Sequence, residues 1–545
     1  MGVRRFLLRP VAFLAGQHAG RQLRAFLRAH ERTEQVQDHL LRELLSRHAD
    51  TAFGRQHGFA SIRSYEEFVR AVPVRTYEAL RPHFDRVLAG DFRALLPPGE
   101  TPLMFSMTSG TTGEPKHIPV TRRFADQMRR GWNVFGLKAL RDHREAWLRP
   151  ILQISSPMEE RRSPTGLPCG AVSGLLAAEQ KRIVRWMYPV PHEVYALADP
   201  EARYYTILRC GVSREVALIT TANPSTTIRL IEVGQEHAER LIRDVADGTL
   251  TPPGEAGGLE GRLRFRGNPR LARRMEDGLR RDGRLLPAHF WRPAALLNWT
   301  GGTLRLYLPR LRELFPGTAV RDIGLLASEG RFSVPLEDST PGGVAEITGN
   351  FLEFLPAERR GDAKAECVRA HEVQAGGEYF LVVTNWAGLW RYDLDDRVRV
   401  TGFVGRSPVF EFLSRGTNTA NITGEKLTEH HVVEAMHRAC GAAVERFVVQ
   451  GRFSPTPYYE LRVEADGAGD LDALAKRVDA ALCELNVEYA SKRKSGRLGP
   501  VRPVGLPPGE MSRIEAARIR ARRGRSEQYK HTYLLTDVLT DDGRA

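Results

Sequence analysis

The chain has 545 residues, 42% hydrophobic and 27% charged: too long for one ordinary core, and suited to two to four folded domains at roughly 100–200 residues each. No apolar run approaches the ~18 residues of a membrane span, and five cysteines without a CxxC pair fit reduced thiols in a cytoplasmic protein. The net charge of +14 is concentrated at the ends, with six Arg and no acid in residues 1–30 and twelve Lys/Arg against three Glu in 491–530. Two solvated basic faces account for that charge, and attraction of an anionic ligand or surface is the sharper alternative. No zinc-finger spacing, ribonucleoprotein motif or helix-turn-helix signature accompanies it, so no nucleic-acid partner is expected.

The opening "MGVRRFLLRPVAFLAG" has a basic start and an apolar middle, as a signal peptide would. Arg9 and Pro10 break its apolar segment, and an amphipathic helix is predicted instead. Phe6 spoils the myristoylation pattern that Gly2 begins. Residues 32–48 place Val36, Leu40, Leu41, Leu44 and Leu45 on one helical stripe. Ser64 and Glu67 make a capping-box pattern that opens a helix over "YEEFVRAV". In the centre "HEVYAL", "VALITT", "AVRDIGLLA" and "YFLVVT" read as strands separated by helices, an α/β pattern with an interior sheet. "TPPGEAGGLEG" (251–261) reads as an exposed loop, and "VTGFVGRSPVFEFLSRGTN" (400–418) holds paired strand-like runs. A helix from Thr428 to about Cys440, the runs "ERFVVQG" and "YYELRVEA", and a helix over 470–487 follow as an α+β module. The boundary is placed near Arg415, giving a large domain over 1–414 and a small one over 415–545.

Residues 106–121, "SMTSGTTGEPKHIPVT", gather hydroxyl side chains, glycines and one lysine. Glycine lets a backbone turn sharply and approach a ligand closely. Hydroxyls and free N–H groups are the donors phosphate oxygens need, and Lys116 adds a point charge. This is not the GxxxxGK[ST] loop, because Pro115 precedes the lysine and His117 follows it. A Ser/Thr/Gly loop alone is more often a surface turn. The ordered run Ser109-Gly110-Thr111-Thr112-Gly113-x-Pro115-Lys116 is much rarer by chance.

"TSGTTGEPK" resembles the phosphate-loop signature of the adenylate-forming superfamily of acyl- and aryl-acid ligases and luciferases. "TAFGRQHGF", "FVRAVPVRTYEAL", "IPVT", "GLLASEG" (324–330), "FLEFLP" (351–356), "LVVTNWAGLWRYDLDD" (381–396), "GEKLTE" (424–429) and "EQYK" (527–530) narrow the likeness. In that order they are similar to landmarks of the Gretchen Hagen three family, the auxin-responsive acyl acid amido synthetases and their bacterial relatives. The resemblance runs from about residue 50 to 530. It implies a large, luciferase-like N-terminal domain that binds ATP and an acyl acid, with a smaller, mobile C-terminal α+β domain.

The resemblance also implies roles. Thr108, Ser109, Gly110, Thr111, Thr112, Gly113 and Lys116 would cradle the phosphates of ATP. Glu329 would hold Mg²⁺, with Ser328 near the phosphates; a surface-loop glutamate is the plainer alternative. "NWTGGT" (298–303) suggests close backbone approach to nucleotide or acyl group. Asp396 matches an aspartate that holds the ribose hydroxyls, a task suited to a carboxylate acceptor. Asp395 and Asp393 replace a glycine and an arginine of the family pattern, and three Asp together could instead bind a metal. Phe351 stands where relatives often carry tyrosine and could stack on adenine, or could be a core phenylalanine. Arg415 matches an interdomain arginine, with Gly416 and Thr417 as hinge positions. Lys530 matches a lysine that reaches the site for adenylation, or is a basic-tail lysine. Residues 150–235 would shape the acyl pocket, with Thr221, Asn223 and Ser225 as polar lining.

The implied activity is adenylation of a small carboxylic acid, with pyrophosphate released, then transfer of the acyl group to an amine, in this family an amino acid. Thioester formation with coenzyme A, or a non-catalytic relative that binds nucleotide or acyl group, are the competing readings. No GxSxG elbow or HExxH zinc motif offers rival chemistry.

Overall fold

The computed structural model describes Gln17 and residues 20–540, save 109–115, 181–184, 363, 417–418, 421, 424, 426, 442–443, 445, 455, 465–469, 495–497 and 522–530. The predicted N-terminal amphipathic helix lies outside them. Two compact units make up the chain. The larger comprises Met1–Gly301, Arg310–Leu394 and Val398–Phe412; the smaller comprises Gly302–Pro309, Asp395–Arg397 and Leu413–Ala545.

In the larger unit the expected stripe forms the helix Thr33–His48, burying Leu40, Leu41, Leu44 and Leu45. Gln37 lies on the same face, and its amide is fully used there. Nε2 donates to the carbonyls of Ile347 (2.7 Å) and Asn350 (2.8 Å), and Oε1 accepts the Leu352 N–H (2.8 Å). A buried polar side chain is thereby paid for by three hydrogen bonds that pin the helix to a strand. Ser64 caps the helix Tyr65–Ala71 by accepting the Glu67 N–H. The return arm of the capping box is displaced by one residue, because the Glu67 carboxylate accepts the N–H of Arg63, at 2.7 Å.

Three sheets follow. Their first strands, in chain order, are β1 (Pro102–Thr108), β2 (Lys116–Thr121), β3 (Ile151–Gln153), β4 (Arg161–Arg162), β5 (Pro168–Gly170), β6 (Leu218–Thr220), β7 (Ala295–Leu297) and β8 (Ala319–Arg321). One sheet has the order β2-β1-β5-β4 and another β3-β6-β7-β8. The second is all parallel, and Leu152, Ile219, Leu296 and Val320 form one cross-strand row in it. Parallel strands need long crossovers, which the helices Pro200–Val212 and Pro224–Glu236 help supply. "LIT" and "ALL" are buried at every position rather than alternately, as strands inside a parallel sheet are.

After the short pair β9 (Leu326–Ala327) and β10 (Gly330–Arg331), a seven-stranded sheet is built from β11 (Ser333–Val334), β12 (Gly342–Ala345), β13 (Asn350–Pro356), β14 (Val368–Arg369), β15 (Glu378–Asn385), β16 (Tyr392–Val404) and β17 (Ser407–Arg415). Its order is β11-β12-β17-β16-β15-β13-β14, so the paired runs expected over 400–418 are neighbouring strands. Phe53, Phe59, Phe68, Phe351, Trp386 and Trp390 belong to the core packed against it.

Three local expectations are corrected. "HEVYAL" is a 3₁₀ helix, His192–Ala196, not a strand. Pro191 caps it, and Pro200 opens the next helix, so a short apolar alternation between two prolines curls instead of pairing. "AVRDIGLLA" breaks into β8 and β9. Gly324 between them has φ +84°, and a Cβ there would lie 2.4 Å from the Ser333 carbonyl oxygen. "TPPGEAGGLEG" is not wholly exposed: Ala256 and Leu259 are buried, and Leu259–Arg262 makes one helical turn.

In the smaller unit the helix Glu429–Cys440 is capped by Thr428, and the helix Leu471–Leu485 by Asp470. They share a core with a four-stranded sheet of Arg502–Leu506, Tyr458–Glu464, Phe447–Phe453 and Leu534–Thr540, in that order. Among the described residues no helix is long and apolar enough to cross a membrane.

Candidate active site

The phosphate-loop motif joins two antiparallel strands. Thr108 at the end of β1 pairs with Lys116 at the start of β2; Ser109, Gly110, Thr111, Thr112 and Gly113 lie outside the described residues. The Lys116 ammonium donates to the Tyr392 hydroxyl at 3.1 Å. It also lies 5.4 Å from the Tyr77 ring centroid and 5.8 Å from that of Tyr392, within cation–π range. The Tyr77 hydroxyl accepts the His117 N–H at 2.9 Å, and burial pushes its pKa up to about 12. The lysine is therefore steered by two aromatic side chains at the mouth of the loop.

Strand alternation sends His117 to the opposite face from Lys116. Burial first, then the Arg161 and Arg81 cations, push its pKa down to about 4, so the ring stays neutral. Arg161 donates to its Nε2 at 2.5 Å.

Glu329 is brought to the same place by a tight hairpin. β9 and β10 pair Ala327 with Gly330, leaving Ser328 and Glu329 at the tip. Gly330 has φ +155°, and a Cβ there would crowd Phe332 (2.9 Å) and Asn350 Oδ1 (3.0 Å). The side-chain amide of Asn385 donates to the Glu329 carbonyl at 2.8 Å, and that of Asn350 to the Arg331 carbonyl at 2.7 Å. These two asparagines face each other in the β13–β15 ladder. Ser328 Oγ reaches the Met107 carbonyl at 3.5 Å, so the hairpin tip abuts the base of the phosphate loop.

The Glu329 carboxylate is fully buried. Its Oε1 receives the Tyr392 hydroxyl at 3.4 Å, while Oε2 has no hydrogen-bond partner among the described residues. A buried, unsatisfied carboxylate oxygen is costly unless something positive joins it. One carboxylate oxygen plus phosphate oxygens is a donor set that suits Mg²⁺. The described site thus runs Lys116–Tyr392–Glu329, with Tyr392 between cation and anion.

The parallel sheet points the remaining motifs the same way. In open α/β sheets ligands lie beyond the carboxyl ends of the strands, and "NWTGGT" and "GLLASEG" follow β7 and β8. Asp322, at the end of β8, ties them together by accepting from Thr300 N (2.6 Å), Thr300 Oγ1 (2.8 Å) and Gly324 N (2.6 Å). Burial lifts its pKa to about 6 against the pull of those donors. Beyond β3 lies a cavity of about 400 Å³ lined by Ser155, Ala178, Trp186, Tyr188, His192 and neighbours.

Other expected residues fall elsewhere. Phe351 is fully buried and packs against Tyr65 and Phe68, so it fills the core and presents no face to adenine. Thr221, Asn223 and Ser225 do not line the cavity. Asn223 caps the helix Pro224–Glu236 by accepting the Ser225 N–H, and Thr221 bonds to Asn223, Thr227 and Asn298 in a closed polar network. From the same stretch, Ala177, Ala178 and Gln180 do line it.

Asp393 is ion-paired with Arg360 at 2.5 Å, which opposes a three-aspartate metal cluster. Asp395 has φ +61°, a backbone that glycine adopts freely and aspartate at some cost, and its carbonyl accepts the Gly416 N–H. Asp396 is buried in β16, in the segment Asp395–Arg397 of the smaller unit. Arg415 ends β17; Thr417 and Lys530 lie outside the described residues. Tyr77, Tyr392 and Asn385 were not among the expected residues, although Tyr392 and Asn385 sit inside the quoted "LVVTNWAGLWRYDLDD".

Residues 22–320 match the GH3 family N-terminal domain, 344–415 the GH3 family central domain and 430–538 the GH3 family C-terminal domain. The chain belongs to the GH3 family. One relative in this family is the probable indole-3-acetic acid-amido synthetase GH3.1 of Arabidopsis thaliana, 28% identical over 477 residues, covering 79% of this chain and 77% of that one. Another is the indole-3-acetic acid-amido synthetase GH3.2 of the same plant, 26% identical over 512 residues, covering 84% and 88%. The solved structure of GH3.15 acyl acid amido synthetase matches at a TM-score of 0.81 and 22% identity over 94% of both chains. The GH3 membership and the α/β class with a smaller C-terminal domain agree with the expectations drawn from the motifs.

Proposed function

We propose that this protein is an ATP-dependent acyl acid–amido synthetase. It adenylates a small carboxylic acid, releases pyrophosphate, and passes the acyl group to an amine, with an amino acid as acceptor. The observation that carries this reading is the Lys116–Tyr392–Glu329 arrangement at the base of the phosphate loop. The names of the relatives, which are amido synthetases, supply the second half-reaction.

A carboxylate cannot expel oxide, so it must be activated. Attack of its oxygen on the α-phosphorus of ATP forms the acyl-adenylate and expels pyrophosphate. Lys116 would hold charge on the phosphates, its direction fixed by Tyr77 and Tyr392, and such prearranged charge lowers the barrier without reorganisation. Glu329 would hold Mg²⁺ through Oε2; when bound, that ion neutralises phosphate charge. Asp396 would accept the ribose hydroxyls, and Lys530 would serve adenylation. The acceptor amine then attacks the activated carbonyl, and AMP leaves. The cavity near Tyr188 would take the body of the acid. Domains at 1–414 and 415–545 remain our working division of these tasks.

Pyrophosphate release measured over a panel of carboxylic acids, followed by mass spectrometry of the product with amino acids or with coenzyme A, tests the reading. Acid-dependent pyrophosphate and an amide are expected. A thioester would make the protein a ligase to coenzyme A, and no release with any acid would make it a binding protein.

A further inference from the structure

Tyr392 owes its place to the residue before it. Arg391 has φ +43°, a left-handed backbone that residues other than glycine adopt rarely. All of its polar groups are engaged. Its N–H donates to Thr384 Oγ1 (2.9 Å) and its carbonyl accepts the Arg75 N–H (2.9 Å). Nη1 donates to the Val72 carbonyl (3.0 Å), while Nε (3.0 and 3.1 Å) and Nη2 (2.8 Å) clasp the Glu353 carboxylate. The Tyr65 hydroxyl completes Glu353 at 2.8 Å. Arg391 is 4% exposed and Glu353 not at all.

Stability alone does not account for this arrangement. A buried ion pair pays a desolvation penalty that its attraction roughly repays, and apolar side chains of similar volume do as well or better. What the pair supplies is geometry. A strained backbone persists only where its surroundings over-determine it, and six hydrogen bonds to four residues do so here, one residue from the Tyr392 that bridges Lys116 and Glu329.

We propose that Arg391 and Glu353, with Thr384, are positioning residues for adenylation: they lock the backbone so that the Tyr392 hydroxyl spans Lys116 Nζ and Glu329 Oε1. This rests on the adenylation reading for its catalytic consequence, but the lock itself does not. The clamp acts only through Tyr392, so its loss costs nothing further once that hydroxyl is gone.

The test is a mutant cycle with two readouts. Thr384→Val removes the N–H acceptor at nearly constant shape, and Glu353→Gln keeps size while weakening the clasp. Each is made alone and with Tyr392→Phe, and folding is checked by thermal melt. Each single variant should lower kcat for pyrophosphate release by about fivefold or more, with KM for ATP nearly unchanged, and the doubles should be no slower than Tyr392→Phe. Independently of turnover, acetylation of Lys116 followed by mass spectrometry should be faster in Tyr392→Phe and equally faster in both clamp variants. Multiplying losses in the doubles, or parental labelling of Lys116 in folded Thr384→Val and Glu353→Gln, overturns the clamp. If the parent releases no pyrophosphate with any acid, adenylation falls instead, and the labelling still decides the clamp.

Discussion

Replacing Glu329 by Gln should separate stability from activity, with opposite signs. The carboxylate is fully buried, and one oxygen has no hydrogen-bond partner among the described residues. An unsatisfied buried polar group costs about 1–3 kcal/mol, and more when charged. The amide keeps an oxygen for the Tyr392 hydroxyl and removes the charge, but its N–H groups meet no acceptor shown there, so at most about 1 kcal/mol should be recovered in the ligand-free protein. For a unit of this size that is a rise of ~1–3 °C in its melting midpoint. The same change removes the ligand proposed for Mg²⁺, so kcat/KM for pyrophosphate release should fall at least about tenfold, ~1.4 kcal/mol of transition-state stabilisation. Half-saturation by Mg²⁺ should move to higher concentration. The assay pairs scanning fluorimetry without nucleotide with Mg²⁺ titrations of turnover. A midpoint lowered by more than the equivalent of the ~1–3 kcal/mol that the amide's unmet N–H groups cost would mean that the carboxylate is already satisfied, and parental Mg²⁺ dependence would give it another task; either refutes the reasoning.

Lys116→Ala should cut pyrophosphate release at least about tenfold, and unchanged turnover in the folded variant would remove Lys116 from the phosphate site. Lys530→Ala should slow adenylation yet spare amide formation from supplied acyl-adenylate; equal loss in both steps would indicate a structural role, and no loss an ordinary tail lysine. Burial holds His30, His48 and His117 each at about 4, so they stay neutral in the fold where the unfolded chain protonates. Their contribution is intact above 6.5 and lost as pH falls toward 4, by up to about 1.4 kcal/mol per pH unit for His30 and His48 and by less for the part-exposed, solvent-screened His117. Asp322, lifted to about 6, opposes this by gaining stability below that value. Burial also lowers His57, His83 and His371 and raises Glu100 and Glu346, so six histidines against three carboxylates predict a falling urea midpoint between pH 6.5 and 4.5, and a flat or rising midpoint would contradict it.

The motif-bearing parts of the site were legible because their chemistry is local. Hydroxyls, glycines and a lysine in one loop suit phosphate contacts and a glutamate after a strand suits a cation, although each alone is more often a surface feature and only their ordered set singles them out. Tyr392 stands inside a different motif, "LVVTNWAGLWRYDLDD", and no spacing rule says that its hydroxyl would meet Lys116 across the fold. Phe351 misled because an aromatic residue in an apolar strand reads alike whether it faces a ligand or the core. Asn223 carries a second readable signal: Asn-Pro before an apolar run is an N-cap followed by its first-turn proline. Asp395 shows the converse case, a departure from the family's glycine visible in sequence, whose meaning, a positive φ, needed the backbone.

The row Leu152–Ile219–Leu296–Val320 has a consequence for engineering. Each of its strands is only three residues long, so a single inserted or deleted residue there would move each side chain to the opposite face of the sheet and leave too little strand to re-pair. The segments after β6, β7 and β8 are held in turn by the Thr221–Asn223–Asn298 and Asp322–Thr300–Gly324 hydrogen bonds. Libraries meant to change which acid is accepted should therefore vary cavity-lining positions such as Ser155, Ala177, Ala178 and Gln180 and keep the three-residue strands and the Thr221–Asn223 turn fixed, so that new recognition is sampled on an unchanged frame.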